Sequence, residues 1–217
     1  TAASLSITRI GLVHSKDALG QAVLAGFNAA MARHGLQAVV VATTPNTTSM
    51  DVEPAAQSIA KAGPQLVIMG LAGTAPAFVL ALRKAGSTST VYGLSIGASP
   101  SNINQLGSLA RGLGFAIVVP SPFASKYPVV RAYRKDMLAS EHREYSLMGL
   151  EGWINARVMA EGLRRAGSSI TRQSVLDALS SMDALDLGGL RINYNNGREG
   201  GSFVDLAVLD AAGQLLI

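Results

Sequence analysis

The sequence predicts an α/β fold, an open and mostly parallel sheet with helices on both faces. Three observations carry this. Val- and Ile-rich runs alternate with helical stretches over the first 120 residues, each run is nearly continuously apolar, and the punctuation between them is Gly or Pro. The runs are Ile10–Val13, Ala38–Ala42, Leu66–Met69, Val91–Leu94 and Gly112–Val119. Gln21–His34 reads as a helix with Leu24, Phe27 and Met31 on one face, stopped by Gly35 with His34 as a C-terminal cation. Asp51–Ala62 places Ala55, Ile59 and Ala62 at helical spacing before Gly63 and Pro64. Thr74–Ala85 has Thr74 as an N-cap, Pro76 in the first turn and Gly86 past the end. Ala98–Leu109 is a poorer helix because Ser99, Pro100, Ser101 and Asn102 crowd its start.

Composition changes at Pro120, Ser121 and Pro122, which suit neither a helix nor a central strand and so read as a link out of the first lobe. Tyr127–Ala139, Ser146–Ala166 and Thr171–Met182 follow as helices, Thr171 capping the last. Leu147, Leu150, Ile154 and Val158 form an apolar stripe on the middle helix, and Trp153 and Met159 are expected in the core. Gly188 and Gly189 open a β region, with strands at Arg191–Tyr194 and Phe203–Leu209 around Asn195, Asn196 and Gly197. A turn at Asp210–Gly213 leads into 214–217.

With 217 residues, 48% hydrophobic and 15% charged, and a mean hydropathy of +0.30, the chain can bury a sizeable core and is no disordered segment. Its longest apolar runs fall short of the roughly 20 residues a membrane-spanning helix needs. The absence of cysteine excludes a disulfide framework, a zinc–thiolate site and a Cys nucleophile. Thr1–Ser4 leads straight into a strand-like run without a leader pattern, so the expectation is a cytosolic chain or one that starts after a removed segment. The net charge of +4 arises from seven Lys/Arg against three acids before residue 124 and eleven of each after it. The first-half cations are spread singly from Arg9 to Arg111, which serves solubility and not nucleic-acid binding.

In open α/β sheets ligands sit at the carboxyl ends of the strands. Those ends are 14–19, 43–47, 70–74, 95–98 and 120–123. Gly93–Gly97 spells G-x-S-x-G, the elbow that lifts a serine nucleophile above a hydrolase sheet. The chemistry also needs a following helix and a later acid and base. His142 is the one downstream histidine, and Asp136 lies only six residues before it in the same helical stretch. A serine hydrolase using Ser95 is therefore an alternative reading and not the main one. The Gly70–Ala75 turn lacks the third glycine of a dinucleotide fingerprint and the Lys of a P-loop, and reads as a tight turn or as a holder of a small carboxylate or hydroxyl through Thr74. His14, His34 and His142 have no paired ligand spacing, so no metal and no cofactor is expected. His14 ends the first strand and is a candidate to face the cleft.

Ile10–Gln21 with Ala25–Gly35, Gln65–Gly70 with Phe78–Gly86, Val119–Pro122, Tyr145–Gly167 and Phe203–Leu206 resemble, in order and spacing, the bacterial solute-binding proteins of the branched-chain amino-acid ABC-transporter type. The resemblance implies a periplasmic receptor with the type I lobe, which closes two α/β lobes around a small ligand and delivers it to an ABC permease. It further implies a C-terminal portion lacking the N-terminal half-lobe. Residues 4–121 with 203–217 would form the ligand-binding lobe, and 122–202 the helical part of the truncated one with the hinge crossings. Hinges are expected at Pro120–Phe123 and Gly188–Asn193.

By position the resemblance assigns ligand contacts to Leu19, to Ala72, Gly73 and Thr74, to Ser95 and Ile96, and to Met148. Family members often carry aromatics near Leu19 and Thr74 and an acid near Ser95 that meets an amino group. The resemblance implies an amino acid or a related small carboxylate or amide as ligand; the residues here are Leu, Thr and Ser, and the missing acid leaves room for a small acid or amide other than an α-amino acid. A ligand-sensing domain of a regulator, built on the same lobes, is a further alternative.

Leaving the four-residue stripe wet would forfeit roughly 6–12 kcal/mol at about 1.5–3 kcal/mol per large apolar side chain, comparable with a domain's whole stability. The expectation is that a companion N-terminal fragment, a second copy of the chain in a homodimer, or a rearranged packing covers the 146–166 helix.

Overall fold

The computed structural model describes residues 6–195, 197 and 199–216. The chain divides into two compact units. Unit 1 runs to Ala116 and resumes at Leu206; unit 2 is Ile117–Asp205.

Unit 1 is built on a seven-stranded sheet in the order β2-β1-β3-β4-β5-β8-β9 among the described residues. The strands are β1 (Ile10–Ser15), β2 (Val40–Thr44), β3 (Leu66–Gly70), β4 (Thr90–Leu94), β5 (Gly114–Ile117), β8 (Asp205–Leu209) and β9 (Leu215–Leu216). β1 to β5 pair in parallel, with Ile10 beside Leu66 and Leu66 beside Thr90, while β8 and β9 pair antiparallel. The helices between them are α1 (Ala18–Arg33), α2 (Glu53–Ala62), α3 (Ala75–Lys84) and α4 (Pro100–Leu106). The order reverses direction after β2, so right-handed crossovers put α1 on one face and α2, α3 and α4 on the other. The α1 face is packed by Ile10, Leu12, Leu66, Phe27 and Met31. On the opposite face Val67, Met69, Val91 and Phe115 are fully buried.

The strand register follows from the apolar runs, but three local readings change. β2 is an edge strand whose Val41 is exposed, as is Val39 just before it, so the apolar run is not covered on both sides. The poor helix of residues 98–109 is α4 flanked by two 3-10 turns. Ser99 caps it by accepting from the Asn102 amide, and Pro100 supplies the first turn without wasting a donor. The 112–119 run contributes a shorter strand, Gly114–Ile117, because Gly112 takes a positive φ of 80° and turns the chain.

Unit 2 contains α5 (Pro128–Ala139), α6 (Leu147–Ala166), α7 (Arg172–Ser180) and a small ribbon of β6 (Leu185–Asp186) and β7 (Arg191–Ile192). Ser146 caps α6 through the Gly149 amide, and Thr171 and Ser174 cap α7 reciprocally. β7 pairs with β6, not with a strand beyond Asn195; Ile192 forms only an isolated bridge with Gly201. Asn196 of the expected turn lies outside the described residues. α6 packs on α5 and α7, and Gly162 allows the close approach: a Cβ there would lie 2.7 Å from Leu179.

The stripe is not left wet. Leu147, Leu150, Ile154 and Val158 are 3%, 0%, 4% and 6% exposed. Within unit 2, Ile154 and Val158 share a groove wall with Val119, Leu190 and Ile192, and Met182 is buried as well. Trp153 is half-buried, its ring edge-on to Tyr133, whereas Met159 is 46% exposed and does not belong to the core.

Candidate ligand-binding site

Parallel strands present all their carboxyl ends at one edge of a sheet. In unit 1 that edge gathers the turns after β1, β3 and β4, which are consecutive neighbours. Each turn is shaped by a specific local requirement.

β1 ends in Ser15, and α1 begins three residues later. So tight a turn leaves no space at position 20: a Cβ on Gly20 would lie 1.7 Å from the Ser15 carbonyl oxygen. Asp17 caps α1, its Oδ1 accepting from the Gly20 amide at 3.2 Å and from the Ser15 hydroxyl at 2.7 Å. Its Oδ2 accepts from the Thr47 amide at 2.8 Å. The Ser15 hydroxyl first, then the Gly20 and Thr47 amides, hold this carboxyl below the ordinary aspartate range. Leu19 sits half-buried in the first turn of α1. His14, buried at the end of β1, has Nδ1 2.8 Å from the Ser15 carbonyl oxygen.

After β3, Leu71 is buried, Ala72 half-buried and Gly73 exposed. The Ala75 amide donates to the Ala72 carbonyl at 3.1 Å, closing the turn into α3. Thr74 occupies the cap position but does not cap. Its backbone is already helical (φ −88°, ψ −1°), and its Oγ1 is buried without a hydrogen-bond partner. Capping needs the extended backbone that aims the hydroxyl back at the first-turn amides. After β4, Ser95 and Ile96 begin a 3-10 turn; Ser95 is half-buried and Ile96 is 46% exposed. Asn102 braces that turn by donating from Nδ2 to the Gly97 carbonyl at 3.2 Å.

Leu19, Ala72, Gly73, Thr74, Ser95 and Ile96 thus come to one edge of three adjacent strands. Met148, the second residue of α6, belongs to unit 2. None of these side chains is ionised. Among the neighbouring residues of the β1–α1 turn, Asp17 has both oxygens engaged. The edge offers hydroxyls, backbone amides and apolar contacts, the means of holding a small ligand through neutral hydrogen bonds. Sequence reasoning missed Asp17 and its partners, although an Asp three residues before Gly20 at a helix start is a legible capping signal.

Two hollows of unit 1 lie elsewhere. One of about 390 Å³, walled by Ile7, Ile10, Phe27, Met31 and Leu66, opens at the amino ends of the strands.

The hydrolase requirements are not met by the expected partners. Asp136 accepts from the Trp153 indole at 3.0 Å, and His142 Nδ1 lies 2.7 Å from the Ser140 carbonyl, not from a carboxylate. The orienting acid–histidine contact that a triad needs is therefore absent from this pair. Among the described residues no group of three His, Asp or Glu side chains is placed to hold a metal ion, and no helix is long and apolar enough to cross a membrane.

Comparison with known proteins places this architecture. Residues 1–209 match the sequence profile of the family described as periplasmic binding protein. No curated protein matches significantly. Among solved structures, a substrate-binding periplasmic protein from Ralstonia solanacearum is 28% identical with a TM-score of 0.84, over 99% of this chain and 62% of that one. An extracellular ligand-binding receptor from Verminephrobacter eiseniae is 24% identical with a TM-score of 0.83, over 100% of this chain and 62% of that one. A possible leucine/isoleucine/valine-binding protein from Rhodopirellula baltica has a TM-score of 0.90 at 23% identity, over 100% of this chain and 61% of that one. The chain thus spans a little over three-fifths of the length of these structures, and the last two share its fold. With the profile covering nearly its whole length, the chain belongs to the periplasmic binding protein family.

Proposed function

We propose that the chain is the ligand-binding part of a periplasmic receptor that captures a small organic ligand, an amino acid or a related small carboxylate or amide, and delivers it to an ABC importer. The observation that carries this reading is the gathering of Leu19, Ala72, Gly73, Thr74, Ser95 and Ile96 on the carboxyl edge of β1, β3 and β4. The family membership and the likeness to a substrate-binding periplasmic protein support it.

In this reading the residues 4–121 with 203–217 form the lobe that meets the ligand, and Met148 adds a contact from the helical part. Pro120–Phe123 and Gly188–Asn193 act as the hinge. A ligand that touches both lobes favours the closed arrangement by its differential affinity for it. The role is binding and not catalysis, with neither a nucleotide cofactor nor nucleic acid involved. Further cover for the 146–166 helix, from an N-terminal companion or a second copy, would meet its exposed side at Met159 and Leu163, since the buried stripe is already covered.

The Ser95→Ala variant separates binding from hydrolysis. The receptor reading expects ester turnover at background level in both proteins and a weaker ligand complex in the variant. A turnover in the unsubstituted protein that disappears with Ser95 would establish the hydrolase instead. Native followed by denaturing mass spectrometry of the purified protein should show a bound small molecule and give its mass.

A further inference from the structure

We propose that Asp17 is a positioning residue, a carboxylate latch that fastens the segment after β2 to the turn presenting Leu19 and so fixes this part of the sheet edge. The inference rests on the reading of that edge as ligand-facing, but the latch itself is a matter of geometry.

The backbone ladder between β1 and β2 ends with the Lys16 amide donating to the Thr44 carbonyl at 3.0 Å. Past Thr44 the chain leaves the sheet for α2. Asn46 organises this segment internally, its Oδ1 accepting from the Thr48 amide, the Thr48 hydroxyl and the Ser49 amide at 2.9, 2.9 and 2.8 Å. The segment is thus a preformed turn, and the Asp17 Oδ2 contact to the Thr47 amide ties it to the next turn across 30 residues of sequence. The other oxygen is committed to the Ser15 hydroxyl and the Gly20 amide. One carboxylate therefore does two separable jobs: Oδ1 caps α1, and Oδ2 holds Thr47.

A carboxylate is the one side chain at this position that can do both. Asparagine caps helices about as well as aspartate. It has a single acceptor oxygen, however, and its amide nitrogen only donates. With that oxygen on the Gly20 amide, the side-chain nitrogen of an asparagine in place of Asp17 would face the Thr47 amide as donor against donor. A residue needed only as a cap is rescued by asparagine; a latch is not.

The test is amide hydrogen exchange followed by NMR on the wild-type chain, Asp17→Asn and Asp17→Ala. The expected result for Asp17→Asn is retained protection at Gly20, an unfolding midpoint close to wild type, exchange at Thr47 faster by about tenfold, and shifted amide signals from Lys16 to Leu19. Asp17→Ala should lose protection at both amides. Unchanged exchange at both Gly20 and Thr47 in Asp17→Asn would overturn the latch, whereas loss at Gly20 in place of Thr47 would support it, because the one remaining acceptor oxygen would then have stayed on Thr47. Addition of L-leucine, or of its 2-oxo counterpart, to the wild-type chain judges the ligand reading separately. Amide shifts at Leu19, Thr74 and Ser95 are expected, and their absence would remove the ligand-facing role without altering the exchange result.

Discussion

Replacing Leu150 by alanine removes a side chain that is fully buried beneath α6, one turn before Trp153. Leucine-to-alanine changes in packed cores cost about 2–5 kcal/mol, the lost transfer term plus the cavity left behind. Leu150 has 0% exposure and lies one helical turn from buried Leu147 and Ile154, so little collapse is available and the upper half of that range is expected. Met159 is the internal control. It lies on the same helix but is 46% exposed, and its truncation should stay within about 0.5 kcal/mol. Trp153 is the sole tryptophan, and its indole donates to Asp136 and stands edge-on to Tyr133, so its fluorescence reports on unit 2. With a urea slope of about 1–3 kcal/mol per molar, Leu150→Ala should lower the fluorescence midpoint by at least about 1 M. Met159→Ala should leave it nearly unchanged. Equal midpoints for the two variants would refute the argument, because they would mean that the stripe is as wet as the outer face of the helix.

Gly20→Ala should destabilise unit 1 by more than about 2 kcal/mol, because the new Cβ would fall 1.7 Å from the Ser15 oxygen and force the β1–α1 turn open; a thermal melt reads this directly. At the end of α6, Glu161 is held down to about 2 by the Arg164 guanidinium and then by that of Arg165. A lowered carboxyl favours the fold above its unfolded pKa, here 4.5, and loses that contribution as pH falls through about 2. The gap in melting temperature between wild type and Glu161→Gln should therefore be constant from about pH 6 upward, shrink below the unfolded value, and narrow in high salt. A gap that grows on acidification would contradict the pairing.

The parallel sheet was legible because its strands are Val- and Ile-rich and Gly or Pro punctuates the helices between them. That signal reports burial on both faces, which is why it overstated β2: an edge strand can carry the same residues with one side in water. The α6 stripe was legible as a stripe, but its cover was not. Val119 and the pair Leu190 and Ile192, which share a groove wall with Ile154 and Val158, lie on segments before and after the helix, and no pattern within α6 points to them. Thr74 shows the limit of capping rules, since residue type gave the right position while the backbone angles withdrew the hydroxyl from its amides. At the sheet edge, the turns could be located from the strand ends alone. The tie between Asp17 and Thr47 could not, because it joins segments whose proximity exists only once β1 and β2 have paired.

Binding of a small ligand at the carboxyl edge of β1, β3 and β4 can be read by mapping backbone amide shifts while titrating a panel of small amino acids, their 2-oxo counterparts and simple amides. The account predicts saturable shifts confined to the turns bearing Leu19, Gly73, Thr74, Ser95 and Ile96, with the remaining strands of unit 1 silent. Saturable shifts centred instead on the hollow walled by Phe27, Met31 and Leu66 at the opposite end of the sheet would contradict it.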